Sequence, residues 1–523
     1  MKNDGKNPAK ELYQQLRQRS CAELWEDEVP RFNRADQRER FAKVGLVRAV
    51  GVVFSEHGTE AQKSAAREWL RGLLKDPQEK IRRYAMTALP KLGAGSGEEA
   101  ALLQLLKKAE SERERKFLGQ TLEKIGGHAT LQAGALDVRT EQKVKASVAR
   151  AQASTVRLDR ALSEFAGLRI HLRGRRGLEQ FVRTELEENP QTRKKFHVAE
   201  VSDGLVALTA HVPFSLGDLY ALRSFGTVGL VPGIAKHARA LDSEAAQAKF
   251  LDGLAALITS PLARRILETF TVGPIRYRLD FVSKGHQRGA IRQLAARVYT
   301  RSPALLNDAR EAPWSIEIHP APGGSAVELT PRLVPDPRFA YRQQDVPAAS
   351  HPPLAACLAR LAGPGPKDGP EIIWDPFCGS GLELIERTLV GGVKRVFGTD
   401  LSAAALESTR RNFAAAPLPP VATHFHVSDL RDFERIKGLG PETVTLLITN
   451  PPMGKRVPIP NLRGLIEDLF EIAAIVLKPG GRLVFANPLR LESPERSLKL
   501  QLRQVVDFGG FDCRLELYRK TGR

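Results

Sequence analysis

At 523 residues, with 42% hydrophobic and 27% charged side chains, the chain is composed like a soluble multidomain protein and unlike a fibrous or disordered one; at roughly 150 residues per domain, three or four domains are expected. Lys and Arg number 79 against 60 Asp and Glu, a net charge of +19 that attracts polyanions, either nucleic acid or an anionic membrane surface. No apolar run reaches about 18 residues, and the polar start Met1-Lys2-Asn3-Asp4-Gly5-Lys6 does not read as an export signal. Cys21, Cys357, Cys378 and Cys513 are far apart, so neither a disulfide framework nor a Cys-rich zinc site is expected, and a reducing cytoplasm fits.

From about Pro8 to Gly127, apolar residues recur at three- and four-residue spacing, the pattern of amphipathic helices. Ile81-Arg82-Arg83-Tyr84 and Leu89-Pro90-Lys91-Leu92-Gly93 align with Glu114-Arg115-Lys116-Phe117 and Leu122-Glu123-Lys124-Ile125-Gly126, at an offset of 33 residues. On this pattern residues 1–135 resemble HEAT-like repeats, whose helix pairs bury one another's apolar faces; an ordinary helical bundle is the other reading. Such a region would hold a protein partner or add phosphate contacts. The polar, Ala/Gln/Lys-rich stretch that follows reads as a linker at 136–164 or as an extended exposed helix.

Residues 165–345 mix strand and helix patterns and predict a small α+β domain. Leu168-Arg169-Ile170-His171-Leu172 alternates with period two, a helical run follows Arg176-Gly177-Leu178-Glu179 to Glu188, and Leu205–Thr209 and Ser315–Ile318 read as further strands. From 346 to 523 the apolar runs Ile372–Trp374, Arg395–Phe397, Thr445–Ile448 and Arg482–Phe485 alternate with helical stretches. That rhythm predicts a parallel, doubly wound α/β sheet, closed by an antiparallel pair around Gly509-Gly510. Residues 1–350 carry +15 of the net charge, so a polyanion is expected on the first two regions.

The sharpest motif is Asp375-Pro376-Phe377-Cys378-Gly379-Ser380-Gly381, between a strand and a helix. Small residues there let the backbone turn tightly and approach a ligand at the carboxyl end of the sheet. No Lys-Ser/Thr pair follows, as a phosphate loop needs, and Leu382-Glu383-Leu384 stands where a dinucleotide fingerprint has its third glycine. The acidic Asp375 suits the cationic ammonium and sulfonium of S-adenosylmethionine better than a pyrophosphate. Asp400 closes the next strand, where doubly wound folds grip a ribose diol, and Asp429 closes the third, where a carboxylate can accept from an adenine amine; singly, each also fits a helix N-cap. The fourth strand ends in Asn450-Pro451-Pro452-Met453-Gly454. A base amine is a poor nucleophile because its lone pair is delocalised, so a site that methylates it must accept both N–H bonds and turn the lone pair toward the methyl donor. The Asn450 side-chain oxygen and the Pro451 carbonyl are suited to that, with the prolines restricting the backbone.

With these motifs on the page, residues 351–523 resemble a class I, Rossmann-like S-adenosylmethionine-dependent amino-methyltransferase. The DPFCGSG wording, with His351-Pro352-Pro353-Leu354-Ala355-Ala356 upstream, is similar to the RNA methyltransferases that carry a THUMP domain. Arg176–Glu179, an expected helix near Leu222-Arg223-Ser224, and Ala340-Tyr341-Arg342 are similar to that family's THUMP region. The resemblance implies N2-methylation of guanosine in tRNA or rRNA, with no metal. It implies cofactor contacts at Asp375, Phe377, Gly379, Gly381, Asp400 and Asp429, and a catalytic turn at Asn450, Pro451, Pro452 and Met453. One departure is Met453, where the family has Tyr or Phe to stack on the target base; a thioether is a smaller and less oriented platform. Two other readings stand beside this one: N6-adenine methylation of RNA or DNA, and a non-catalytic RNA-binding scaffold on a decayed methyltransferase fold. His424 and His426 share a strand face without a third ligand, Cys378 has no evident base, and Lys455-Arg456 is placed to meet an RNA phosphate or to be solvated.

Overall fold

The computed structural model describes residues 8–93, 95–134, 136–236, 243–282, 287–333, 336–347, 349–367, 369–454 and 459–522. They group into two compact units, one of residues up to Val156 with 235–260 and 271–325, the other of residues 157–234, 261–270 and 326–523.

The first unit is built on helices. Gly45–His57 is its central helix, buried from Gly45 to Val47 and from Ala49 to Phe54. It approaches Glu79–Ala88 so closely that a Cβ on Gly51 would lie 2.6 Å from that of Ala88. The two aligned motifs sit on the helices Glu79–Ala88 and Glu112–Ile125, and Arg82 of the first donates to Glu114 of the second at 2.5 and 2.9 Å. The copies differ at their ends. Pro90 turns the first into a short tight helix, Leu89–Leu92, whereas the second runs on unbroken to Ile125. The stretch read as a linker holds a packed helix, Val138–Arg150, capped by Asp137. Its buried face is Thr140, Gln142, Val144, Ala146 and Ala149, too small and polar to register as an apolar stripe. Arg150 pairs with buried Asp308 at 2.8 and 3.0 Å, and Tyr299 donates to Glu141 at 2.9 Å. Strand Arg276–Phe281 runs parallel to Trp314–Ala321 and Leu306–Asn307 in this unit. The middle region, expected as one α+β domain, therefore contributes to both units.

In the second unit, Arg169–Arg173 lies antiparallel to Leu205–Ala210 and Thr227–Lys236, with Phe196–Ser202 outside Leu205–Ala210. Glu328 is buried against this sheet and takes Arg173 at 2.9 Å and His171 at 2.6 Å. The helix expected near Leu222–Ser224 is instead Leu216–Leu219, capped by Ser215. Leu222–Ser224 is irregular because the Arg223 and Ser224 amides turn to donate to the buried Glu185 carboxylate, at 2.9 and 2.8 Å.

The remainder of this unit is an α/β layer. In chain order it runs α1 (Pro352–Leu361), β1 (Glu371–Asp375), α2 (Leu382–Val390), β2 (Val393–Asp400), α3 (Ala403–Ala415), β3 (Ala422–Val427), β4 (Val444–Thr449), α4 (Leu462–Val476), β5 (Leu477–Asn487), β6 (Leu498–Asp507) and β7 (Asp512–Lys520). The strand order is β3-β2-β1-β4-β5-β7-β6; the first five are parallel, and β7 runs antiparallel between β5 and β6. All six residues of β4 are buried, as a strand covered on both faces requires. Chain order reverses between β1 and β4, and the crevice at such a switch point is where open α/β sheets take ligands. Behind the sheet, Glu371 is buried between two guanidiniums. Arg387 donates to it at 2.9 and 3.0 Å, Arg482 also donates to it, and both arginines cap carbonyls at the end of α1, Ala359, Ala362 and Gly363.

Among the described residues no helix is long and apolar enough to cross a membrane, and no group of three or more His, Cys, Asp and Glu is gathered as a metal ion would need.

Candidate active site

The turn after β1 is held by β2 and α3 through its backbone amides and carbonyls. The Cys378 amide donates to the Thr399 carbonyl at 2.9 Å, and the Gly379 amide to Asp400 Oδ2 at 3.0 Å. Thr409 and Asn412 of α3 donate to the carbonyls of Gly379 and Ser380 at 2.8 and 2.9 Å. Gly381 opens α2 at φ +82°, and a Cβ there would meet Thr409 Cγ2 at 2.9 Å.

A cavity of about 870 Å³ opens at the carboxyl ends of these strands. It is lined by Pro376–Ser380 after β1, Asp400–Ser402 after β2, Ser428–Arg431 after β3 and Asn450–Met453 after β4, so the turns singled out in the sequence share one cavity. Two expected contacts stand back from it. Asp375 and Gly381 are not in the lining. Asp375 is fully buried; its Oδ1 accepts from the Phe377 amide at 3.0 Å and from the Thr449 hydroxyl, while Oδ2 is buried with no partner among the described residues. Burial, and then the neighbouring Glu383, hold its carboxyl well above the usual range. The role of Gly381 is helix packing against α3, which the spacing of the motif could not distinguish from ligand contact.

The Asp400 carboxylate accepts the Gly379 amide on one oxygen and the Ser402 amide on the other, at 3.0 and 2.9 Å, and keeps lone pairs toward the cavity it lines. Asp429 caps the short helix Leu430–Arg435 and is ion-paired with Arg431 at 3.1 Å, so the cap role and the cavity position coincide. Burial pushes the Cys378 thiol up, which disfavours the thiolate that a nucleophile needs.

Asn450 donates through Nδ2 to Ser350 Oγ at 2.7 Å, while its Oδ1 is buried with no partner among the described residues. Met453 lines the same cavity, half-buried. Lys455 and Arg456 lie outside the described residues. The lining also holds residues outside the expected motifs, among them Ser350, Glu383, Arg175, Phe508 and Phe511. Phe508 and Phe511 flank the Gly509-Gly510 turn between β6 and β7, with ring centroids 5.8 Å apart, and the Arg175 guanidinium lies 5.3 Å from the centre of the Phe508 ring. In the sequence the Phe-Gly-Gly-Phe turn shows as a hairpin, and its two rings are the signal of a place on the cavity. Beyond β7, Arg176 fixes this hairpin: its carbonyl accepts from the Asp507 amide at 2.9 Å, and its guanidinium pairs with Asp512 at 2.9 Å.

Residues 340–511 match the family model described as RMKL-like, methyltransferase domain. The chain is 32% identical over 196 residues to the tRNA (guanine(10)-N2)-dimethyltransferase of Methanothermobacter thermautotrophicus, covering 35% of this chain and 54% of that protein. It is 29% identical over 174 residues to the probable tRNA (guanine(10)-N2)-dimethyltransferase of Methanothermococcus thermolithotrophicus, covering 32% of this chain and 98% of that one. The chain thus spans about half the length of the first of these relatives. In structure it is similar to TrmN from Thermus thermophilus, with a TM-score of 0.52 at 21% identity, covering 68% of this chain and 99% of that one; at this identity the likeness shows the fold. The seven-stranded sheet in this order and the strand-end turns gathered on one cavity lie largely within residues 340–511, the stretch that matches the methyltransferase domain model.

Proposed function

We propose that the chain transfers a methyl group from S-adenosylmethionine to the exocyclic N2 amine of a guanosine in structured RNA, tRNA above all. The observation that carries this reading is Asn450, whose Oδ1 is a buried acceptor left without a partner beside the cavity that the glycine turn also lines. The curated relatives named above, both tRNA guanine-N2 dimethyltransferases by name, support tRNA as the substrate.

The residues fit the cofactor. The cavity is large enough for a nucleoside-sized ligand, and Pro376–Ser380 and Asp400 would hold it, with the buried Asp375 one layer behind. When bound, the cofactor supplies an electrophilic methyl group. Asn450 Oδ1 and the Pro451 carbonyl accept the two N–H bonds of the target amine and so aim its lone pair. Phe508 and Phe511 offer the base a ring face that Met453 lacks. In this reading residues 165–345 are a THUMP-like RNA-binding region, residues 1–135 a HEAT-like region open to a protein partner, and the protein works in the cytoplasm.

Two outcomes follow for single variants. Asp400→Ala weakens S-adenosylmethionine binding by about ten- to a hundredfold in calorimetry, since a charged hydrogen bond is worth about 1.5–3 kcal/mol; unchanged affinity would remove Asp400 from the cofactor site. Phe511→Ala, or Phe508→Ala, raises KM for tRNA by about tenfold, the order of one base–aromatic stack, and an unaltered KM in both variants would rule out the platform.

The reading as a whole is tested by radiolabelled methyl transfer to bulk tRNA from a deletion strain, followed by mass spectrometry of the nucleosides. N2-methylguanosine is expected. N6-methyladenosine would replace guanine by adenine as the target, and absence of both transfer and cofactor heat would reduce the chain to an RNA-binding scaffold.

A further inference from the structure

Asn450 can serve as an acceptor only if its amide is held one way round, because a flip of the side chain exchanges Oδ1 for Nδ2. The groups that decide this lie outside the Asn-Pro-Pro turn. Asn450 Nδ2 donates to Ser350 Oγ at 2.7 Å, and the Ser350 hydroxyl donates in turn to Oε1 of Glu383, in the first turn of α2. Ser350 and Glu383 are both buried, and all three residues line the cavity.

We propose that Ser350 and Glu383 are positioning residues that lock the Asn450 amide with its nitrogen inward and its carbonyl free for the substrate amine. The inference rests on the function proposed above and adds to it the source of the acceptor's orientation. The logic is one of counting protons. A hydroxyl has a single proton, and a carboxylate oxygen only accepts. With its proton committed to Glu383, Ser350 meets Asn450 with a lone pair, so Asn450 must present N–H there and its oxygen is left over. That matches the unpartnered Oδ1. If Glu383 were apolar, the hydroxyl would be free to donate to Asn450 Oδ1, and the amide could settle either way.

Burial, with the charge of Glu386 adding to it, pushes the Glu383 carboxyl up to about 7, and Asp375 is close by. The lock does not require the charge, because a neutral side chain with a carbonyl in the same place accepts the same proton.

The test uses the full chain with bulk tRNA from a deletion strain and radiolabelled S-adenosylmethionine. Ser350→Ala and Glu383→Leu should each lower kcat by about ten- to a hundredfold, the cost of a small misplacement of a reacting group, with cofactor affinity unchanged. Glu383→Gln should retain kcat within about threefold of the unaltered chain. Glu383→Leu removes a buried acid beside Asp375, so its thermal midpoint should hold or rise while kcat falls, a separation that a merely structural role would not give. A second readout needs no turnover. In a chain labelled with 15N-asparagine, the Asn450 side-chain amide should exchange slowly in the unaltered protein and in Glu383→Gln, and quickly, with shifted resonances, in Ser350→Ala. Full kcat in Ser350→Ala, or an unshifted Asn450 amide, overturns the proposal. If the unaltered chain transfers no methyl group, the proposed function falls, and the amide resonances alone decide whether the lock exists.

Discussion

Replacing Asn450 by Ala should lower kcat for methyl transfer by about 10²–10³-fold, the usual loss when one preorganised polar group is removed from a reacting centre, and leave S-adenosylmethionine binding intact. The separation follows from where the residue sits. Asn450 follows β4, whereas the turn expected to hold the cofactor follows β1 and is braced by hydrogen bonds with Asp400, Thr409 and Asn412; the Asn450 side chain bonds instead to Ser350. Truncation therefore removes an acceptor without loosening the glycine turn. Single-turnover transfer with radiolabelled cofactor and parallel calorimetry measure the two quantities. A variant that keeps its rate would show that the amine is oriented by another group. One that loses cofactor heat as well would show that the two turns are not independent.

Glu371→Ala should cost about 3–5 kcal/mol of stability, the range for breaking a buried ion pair and stranding its partner. Here two partners are stranded. Arg387 and Arg482 are each nearly inaccessible to water, and both depend on Glu371 for the charge that balances them. Their bonds to carbonyls at the end of α1 satisfy N–H groups but neutralise only part of the charge. Urea unfolding followed by tryptophan fluorescence reads the loss, and Trp374 of β1 is a suitable reporter at the centre of the same sheet. A midpoint within error of the unaltered chain would mean that the cluster is compensated elsewhere.

The α/β layer is legible in the sequence because its signals are local. A covered strand shows as a short apolar run, as Leu446–Ile448 does within β4, and a strand end followed by small residues marks a turn, as Asp375–Gly381 does. What could not be read depends on residues distant in the chain. Asn450 and Ser350 are 100 positions apart, and Ser350 and Glu383 are 33 apart. Nothing in the spacing of either motif hints that one side chain sets the orientation of another. Val138–Arg150 fits the alternative of a helix, but a packed rather than an exposed one: its buried face, Thr140, Gln142, Val144, Ala146 and Ala149, is small and partly polar, so its burial does not show in the sequence. Leu222–Ser224 has helix-forming residues, yet its amides are drawn off by Glu185, a tertiary partner that outweighs local preference. Asp375 and Gly381 belong to the motif but sit behind the cavity wall, since a motif identifies a loop and not which of its atoms face the cavity.

The grip of Arg176 on the hairpin between β6 and β7 has a consequence for how the protein is made. Arg176 and Asp512 are 336 positions apart, so this junction cannot form until most of the chain has left the ribosome. The strand Arg169–Arg173 and its antiparallel neighbours can pair early, while the loop that follows them waits for its partner. So long a wait leaves the loop around Arg176 without this contact in a nascent chain, and the rim that Phe508 and Phe511 complete assembles late in folding.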